Sequence, residues 1–188
     1  RIMAVVRDEH RRWWLDELGQ LSSQNVLVQA GNRGTAVAIL HALVHVLQRD
    51  GDPTLVILPS DHGAEDEAVL VESINHAAQM AAESRRHLIL LGLTPEYPET
   101  EYGWILPDRG GTGRVRHVSR FVEKPAARLA AELLAAGALW NSFICASSGQ
   151  ALFGLFAASQ PLVLRRYLES FVVQVIDERE QHARFRAL

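Results

Sequence analysis

Four polar side chains that could bind a ligand stand where apolar runs of the chain end or are interrupted. Asp61 follows the apolar run 55–58, Glu123 and Lys124 end a second run, and Asn141 interrupts a third. In open α/β sheets, ligands bind just beyond the carboxyl ends of the strands. These positions therefore predict a ligand site at one edge of a sheet.

The chemistry of these groups suits a phosphorylated ligand. Asp61 is a carboxylate of the kind that Mg²⁺ takes in ones or twos, filling its other positions with water and substrate phosphates. The amine of Lys124 is a point charge that suits a phosphate group. Glu123 and Asn141 offer the acceptors and the amide that sugar hydroxyls need.

Each of these residues also has an ordinary structural interpretation. Asp61 could cap a helix N-terminus or stabilise a turn, as Asp commonly does. Glu123 and Lys124 could form an exposed ion pair worth less than about 1 kcal/mol. Asn141 could be a buried amide that satisfies backbone groups. The sequence leaves these alternatives open.

A second candidate segment is a polar turn between a short strand and a helix. It contains Gln29, Asn32, Arg33, Gly34 and Thr35. Backbone N–H groups at a helix N-terminus, together with side-chain amides, suit a phosphate or the edge of a nucleobase. An ordinary connecting loop is the alternative.

Other candidate groups are less informative. His62 is adjacent to Asp61, but neighbours on a strand point to opposite faces, so adjacency does not predict an acid–base dyad. Cys145 is interpreted as a small core residue. His41 and His45 have the i, i+4 spacing of metal ligands but no third ligand nearby, so we interpret them as helix-surface residues. No GxGxxG motif opens a βαβ unit, which argues against a dinucleotide oxidoreductase.

Strands and helices of ordinary length alternate along the chain, which predicts an α/β protein with a parallel, doubly wound sheet. The run 55–58 lacks polar alternation, so this strand is expected to be covered on both faces. Strands are predicted over residues 2–6, 26–28, 55–58, 87–92, 102–105, 115–122 and 138–144, helices over 8–19, 36–47, 65–83, 128–136, 150–156 and 163–186, and a hairpin tip over 108–113.

Composition excludes several classes of function. The chain has 188 residues, 48% hydrophobic content and a net charge of −3, which is ordinary for one globular domain over residues 1–188. Basic residues form no stripe, so no nucleic-acid partner is expected. The single cysteine fits a reducing cytoplasm, and no apolar run reaches membrane-spanning length. We therefore expect a cytoplasmic protein; a homodimer stays open.

Five motifs in register resemble the sugar-phosphate nucleotidyltransferase family, and most of all its mannose-1-phosphate guanylyltransferase branch. The resemblance spans residues 2–165, and each motif by itself is weak. The motifs are NRGTA at 32–36, LPSDH at 58–62, PETEYGWI at 98–105, FVEKP at 121–125 and LWNS at 139–142.

The resemblance implies a Rossmann-like, mixed but mainly parallel sheet, the nucleotide-diphospho-sugar transferase fold. It implies transfer of a nucleotidyl group from GTP to mannose 1-phosphate with Mg²⁺, giving GDP-mannose and pyrophosphate. Asp61 would ligate the metal, and the turn 29–35 would face the guanine. Gly103 would meet the sugar through its backbone, Glu123 and Asn141 would hold its hydroxyls, and Lys124 would contact its phosphate.

Two motifs depart from the usual family pattern. The family usually has RNTAPA in the base loop and TGYGYI in the sugar loop, whereas this chain has RGTAV and TEYGW. Another nucleoside triphosphate or sugar 1-phosphate, such as glucose 1-phosphate, therefore stays open. So does a catalytically inactive homologue that binds a nucleotide sugar and regulates a partner.

The family's glycine-rich phosphate loop is not found in these 188 residues. We expect that loop and its strand to precede Arg1, and a later metal-binding aspartate to follow Leu188, because Asp177 has a helical context. The chain is thus expected to be an internal portion of a longer protein. By itself it is expected to be inactive, since the groups that neutralise the leaving pyrophosphate are missing.

Overall fold

The computed structural model describes residues 1–108, 110 and 114–170. It divides the chain into two compact units, one formed by Arg1–Pro53 with the segment from Gly149 onward and the other by Thr54–Ser148. Each unit has its own packing, and the expectation of one domain over residues 1–188 stays a prediction.

Strands and helices alternate through both units, as the sequence predicted. In chain order they are β1 (Ala4–Arg7), α1 (Arg11–Trp14), β2 (Val26–Gln29), α2 (Thr35–Asp50), β3 (Thr54–Ile57), α3 (Glu67–Glu83), β4 (Leu88–Leu93), β5 (Gly103–Pro107), β6 (Val118–Glu123), α4 (Ala127–Ala135), β7 (Leu139–Ser148), α5 (Gly149–Ser159) and α6 (161–170).

In the first unit, β1 and β2 form a parallel pair in which Ala4 lies opposite Val26. Helix α2 packs on α5 and buries an apolar stripe that includes Leu40 and Leu43, both almost fully inaccessible. These two side chains are three residues apart, so they lie on one face of the helix. The unit places the turn between β2 and α2 at its surface, where residues 32–35 are exposed.

The second unit is built around β7. Its C-terminal half pairs with β3 on one side and with β4 on the other, since Cys145 lies opposite both Ile57 and Leu90. Its N-terminal end pairs with β5, which in turn pairs with β6. Strands β3 and β5 thus follow one another along the same side of β7.

The α/β fold is confirmed, but the described strands do not form one mixed, mainly parallel sheet. They form a two-stranded parallel sheet and a five-stranded antiparallel one. In the described part of the chain β1 and β2 pair in parallel, whereas every registered pair of the second unit is antiparallel. The reason is the position of β7: β3 and β4 run in the same direction, but β7 lies between them in the opposite one. Sequence periodicity does not reveal such an insertion.

The two faces of the β5–β7 region differ in character. Trp104 and Trp140 lie opposite each other and pack with Ala130 and Leu133 of α4 in one buried cluster. Successive strand residues point to opposite faces. The neighbouring positions Gly103 and Asn141 therefore lie on the face that α4 does not cover.

Some predicted elements are corrected. The helix predicted over residues 8–19 is α-helical only at Arg11–Trp14, with a 3₁₀ turn before it and further turns after it. The run 55–58 is not fully covered, because β3 is half-buried and Leu58 is 54% exposed. Predicted ends of other elements differ by a few residues, most at β7, which ends at Ser148 rather than at residue 144.

Two predictions lie wholly or partly outside the described residues. They are the helix beyond residue 170 and most of the hairpin tip over 108–113. In the described part of the chain, no helix is both long enough and apolar enough to cross a membrane.

The cluster on α4 should carry much of the stability of the second unit. Leu133 is 3% exposed, so Leu133→Ala should lower the free energy of unfolding by about 2–5 kcal/mol through lost burial and a cavity. Val71 is 54% exposed, and Val71→Ala should change it by less than about 0.5 kcal/mol. Urea denaturation followed by circular dichroism measures both, and equal losses would contradict this account of the core.

Candidate functional site

Three of the predicted sugar-binding residues come together on the uncovered face. Gly103 pairs with Glu123 across β5 and β6, and the register of β5 and β7 brings it beside Asn141. A Cβ atom at Gly103 would lie 2.8 Å from Glu123 Oε2 and 3.3 Å from Asn141 Cβ. Only glycine leaves room at the centre of this group, so backbone, carboxylate and amide are presented together.

Phe121 belongs to the same group and was missed by sequence reasoning. Its Cζ atom lies 2.8 Å from the position that a Cβ of Gly103 would take, and the side chain is 45% exposed. It offers an apolar surface beside the polar groups of Glu123 and Asn141. The signal was available, because Phe121 is two residues before Glu123 on a strand and so shares its face.

Asn141 lies at the start of a bulge in β7. Gly92 lies opposite Asn141 and Leu90 opposite Cys145, so two steps along β4 match four along β7. Phe143, within the bulge, has a left-handed φ of 60° and is 51% exposed. Such backbone costs of order 1 kcal/mol and is concentrated at functional sites.

The structural interpretation of Asn141 is partly correct. Its Oδ1 accepts a hydrogen bond from the Phe143 N–H at 3.3 Å, so the amide does support the backbone of the bulge. Within the residues that the structure describes, its Nδ2 has no hydrogen-bond partner. One end of the amide is thus structural, and the other can donate to a ligand.

Lys124 is held at the end of β6 by an unusual backbone. Its φ is 42°, in the left-handed region that non-glycine residues rarely adopt, and its N–H donates to the Tyr102 carbonyl at 3.2 Å. Its Nζ donates to Glu101 Oε2 at 3.2 Å. The ion pair anticipated with Glu123 is therefore replaced by one with Glu101.

The loop before β5 is anchored by Glu99. Its Oε1 accepts the N–H groups of Thr100 at 2.7 Å and Glu101 at 2.9 Å. Its carbonyl accepts a hydrogen bond from Nε1 of the fully buried Trp104 at 2.8 Å. The residues that lead into Gly103 are thereby tied to the core cluster on α4.

Asp61 lies in the segment that leaves β3, on the side of β7 where β5 also pairs. Its side chain is 84% exposed. It does not cap α3, because the N-cap is Asp66, whose carboxylate accepts the N–H groups of Ala68 and Val69. His62 Nε2 lies 3.7 Å from Asp61 Oδ1, which is too long for a hydrogen bond and agrees with the absence of a dyad.

Asp61 offers one exposed carboxylate, and its role as a Mg²⁺ ligand stays a prediction. Within residues 1–108, 110 and 114–170, no group of three His, Cys, Asp or Glu side chains could hold a metal. A site made only of protein ligands is therefore not present there. One exposed carboxylate is what a Mg²⁺ ion shared with substrate phosphates requires.

The predicted base-binding residues form one turn in the first unit. Gln29 ends β2, and Asn32 Oδ1 accepts the N–H of Gly34 at 3.0 Å. Gly34 has a φ of 83° and precedes α2, whose first turn has no side-chain cap and no acidic residue. Arg33 and Thr35 are exposed. The turn thus offers N–H groups and a guanidinium to an acceptor-rich ligand.

The interpretation of His41 and His45 as helix-surface residues is wrong. Both are half-buried, and His41 Nδ1 lies 2.5 Å from the Tyr167 hydroxyl. Burial, and to a lesser degree His45, lowers the pKa of His41, and burial raises the pKa of Tyr167 to about 12. These groups therefore serve packing within the first unit.

Cys145 is a packing residue as predicted. It lies on β7 between β3 and β4, opposite Ile57 and Leu90. Burial raises the pKa of its thiol to about 11. A thiol that stays protonated at neutral pH is a poor nucleophile, so Cys145 is not a candidate for covalent catalysis.

The two aspartates on either side of residue 63 should respond differently to truncation. Asp66→Ala removes the cap of α3 and should lower the free energy of unfolding by about 0.5–2 kcal/mol. Asp61→Ala removes an exposed carboxylate and should change it by less than about 0.5 kcal/mol. Urea denaturation of both variants tests this; a large loss for Asp61→Ala would mean that Asp61 is structural.

Comparison with known proteins identifies the family of this chain. Residues 1–150 match the family model described as nucleotidyl transferase. The chain is 38% identical over 143 residues to the xanthan biosynthesis protein XanB of Xanthomonas campestris pv. campestris (strain B100), covering 74% of this chain and 30% of XanB. It is 35% identical over 146 residues to a mannose-1-phosphate guanylyltransferase of Escherichia coli, covering 74% of this chain and 31% of that protein.

Solved structures resemble the fold as well. A structure titled mannose-1-phosphate geranyltransferase, from Thermus thermophilus, matches with a TM-score of 0.80 and 27% identity, over 89% of this chain and 48% of that one. A mannose-6-phosphate isomerase from Helicobacter pylori matches in fold with a TM-score of 0.75, 24% identity, and coverage of 89% and 63%. The chain spans about a third of the length of the two relatives named above. It belongs to the nucleotidyl transferase family.

Proposed function

We propose that the protein carrying this chain transfers a nucleotidyl group from GTP to mannose 1-phosphate, giving GDP-mannose and pyrophosphate. The observation that carries the proposal is the convergence of Gly103, Glu123 and Asn141 on the face that α4 does not cover, with Lys124 next to Glu123. Relatives named mannose-1-phosphate guanylyltransferase support the choice of sugar and base.

The sugar would approach the backbone of Gly103 at the place where side-chain atoms of Glu123 and Phe121 now lie. Glu123 accepts hydrogen bonds from hydroxyl groups, and the Nδ2 of Asn141 donates one. Phe121 provides an apolar surface for a ring face. Lys124 carries the positive charge that would bind the phosphate of the sugar ligand. An oxygen of this phosphate is then positioned to attack the nucleoside triphosphate.

Nucleotidyl transfer needs mainly alignment and charge neutralisation, which these groups can provide. Asp61 is the residue that would hold Mg²⁺, and the ion, when bound, would offset negative charge on the phosphates. The exposure of Asp61 leaves its carboxylate open to such an ion. In the first unit, the turn 29–35 would bind the guanine through Asn32, Arg33 and backbone N–H groups.

Turnover tests the role of Asp61. In the full-length protein supplied with GTP, mannose 1-phosphate and Mg²⁺, Asp61→Ala should reduce the rate of pyrophosphate release about a hundredfold or more, since one group that organises phosphate charge is lost. Glu65→Ala, an exposed acidic residue of the same segment, is the matched control and should retain activity. Unchanged activity in Asp61→Ala would remove Asp61 from the mechanism.

Binding tests the sugar site. Glu123→Gln and Asn141→Ala should each weaken binding of mannose 1-phosphate about threefold to tenfold, the loss expected for one or two hydrogen bonds. Calorimetric titration measures this, with glucose 1-phosphate and ATP as competing ligands. Tighter binding of glucose 1-phosphate than of mannose 1-phosphate would identify another sugar, and tighter binding of ATP than of GTP would identify another base.

The same experiments separate the enzyme from an inactive homologue. Binding of mannose 1-phosphate or GDP-mannose without pyrophosphate release in the full-length protein would favour a nucleotide-sugar-binding regulator. Binding of neither ligand would contradict both hypotheses.

A further inference from the structure

The carboxylate of Glu101 forms an ion pair with the amine of Lys124. This amine is the group that the phosphate of a sugar ligand would contact. Glu101 Oε2 lies 3.2 Å from Lys124 Nζ. The related sugar loop usually has glycine at this position, so the chain carries a carboxylate where the family pattern has no side chain. Both side chains are more than half exposed, at 74% for Glu101 and 57% for Lys124, so a ligand can replace one of them.

Backbone contacts fix both ends of this ion pair. The Glu101 N–H donates to Glu99 Oε1 at 2.9 Å, and the Glu99 carbonyl accepts a hydrogen bond from buried Trp104. On the other side, the left-handed backbone of Lys124 is held by its N–H bond to the Tyr102 carbonyl. The two charged groups therefore start from anchored positions and need little ordering to meet.

The charges at this edge are unbalanced for a phosphate dianion. The carboxylate of Glu101, in the loop before β5, lies beside the ammonium group of Lys124, which follows β6. A dianion placed at Lys124 must displace the Glu101 carboxylate and then lie near it, within the distance over which salt screens charges. A monoanion meets about half of that repulsion.

We propose that Glu101 is a specificity-determining residue that competes with the ligand's phosphate for Lys124. It favours ligands whose sugar-linked phosphate carries one negative charge over ligands whose phosphate carries two. The inference rests on the proposed function, because it takes a sugar phosphate as the ligand. A sugar 1-phosphate is a monoester whose phosphate is largely dianionic at neutral pH. In a nucleotide sugar an anhydride bond links the sugar-linked phosphate to a second phosphate, and each of the two carries one negative charge. Glu101 thus shifts the preference of the site towards the nucleotide sugar.

Calorimetric titration of the full-length protein with mannose 1-phosphate and with GDP-mannose tests the proposal. Glu101→Gln should tighten binding of mannose 1-phosphate up to about twofold more than binding of GDP-mannose, since the difference is about half of what an exposed ion pair contributes. High salt should reduce this difference, because the charges are exposed. Glu96→Gln removes the same charge from an exposed position of the same loop and should change neither ligand.

A second measurement follows the ion pair without any ligand. Glu101→Gln should raise the rate at which acetic anhydride acylates Lys124, quantified by peptide mass spectrometry, whereas Glu101→Asp should keep the rate near that of the unmodified protein. If Glu101 had only a structural role, Glu101→Gln would leave the acylation rate of Lys124 unchanged. Thermal unfolding checks that each variant is folded.

The outcomes distinguish this inference from the proposed function. If the protein binds both sugar ligands but Glu101→Gln changes the ratio of their affinities no more than Glu96→Gln does, the role of Glu101 is overturned and the proposed function stands. If neither the unmodified protein nor any variant binds either ligand, the proposed function is overturned, and the inference falls with it.

Discussion

The candidate site depends on the pairing of Trp104 with Trp140 across β5 and β7. Their burial against α4 fixes the register of the two strands, because both large side chains must point to the covered face. A slip of one residue would turn every side chain of a strand to the other face. Gly103 and Asn141 would then lie under α4, so the apolar packing on one face determines the polar arrangement on the other.

Irregular backbone concentrates around the same strands. Lys124 and Phe143 are the two non-glycine residues with positive φ in the described part of the chain. One lies at the end of β6, the other in the bulge of β7. Each conformation costs of order 1 kcal/mol and persists because neighbouring contacts hold it. Here those contacts include the Tyr102 carbonyl and the Asn141 amide.

Much of the site could be predicted from the sequence because its residues follow or interrupt apolar runs. Strand ends supply ligand groups in α/β sheets, and this reasoning holds for Asp61 after β3 and Glu123 at the end of β6. Asn141 lies instead near the N-terminus of β7. The same reasoning could not assign the ion-pair partners of charged side chains, because these depend on which loop lies beside which strand. Lys124 therefore pairs with Glu101 instead of its neighbour, and the cap of α3 is Asp66 instead of Asp61.

By itself, the sequence determined the alternation of strands and helices and the motifs that characterise the family, because periodicity and short-range chemistry are local. It overextended the first helix, where Trp14 and Leu18 have helical spacing but α1 ends at Trp14. Only the tertiary structure decided that β7 runs antiparallel between β3 and β4, and that Phe121 joins Gly103 at the site. Both depend on contacts between residues far apart in the chain, which local patterns do not encode.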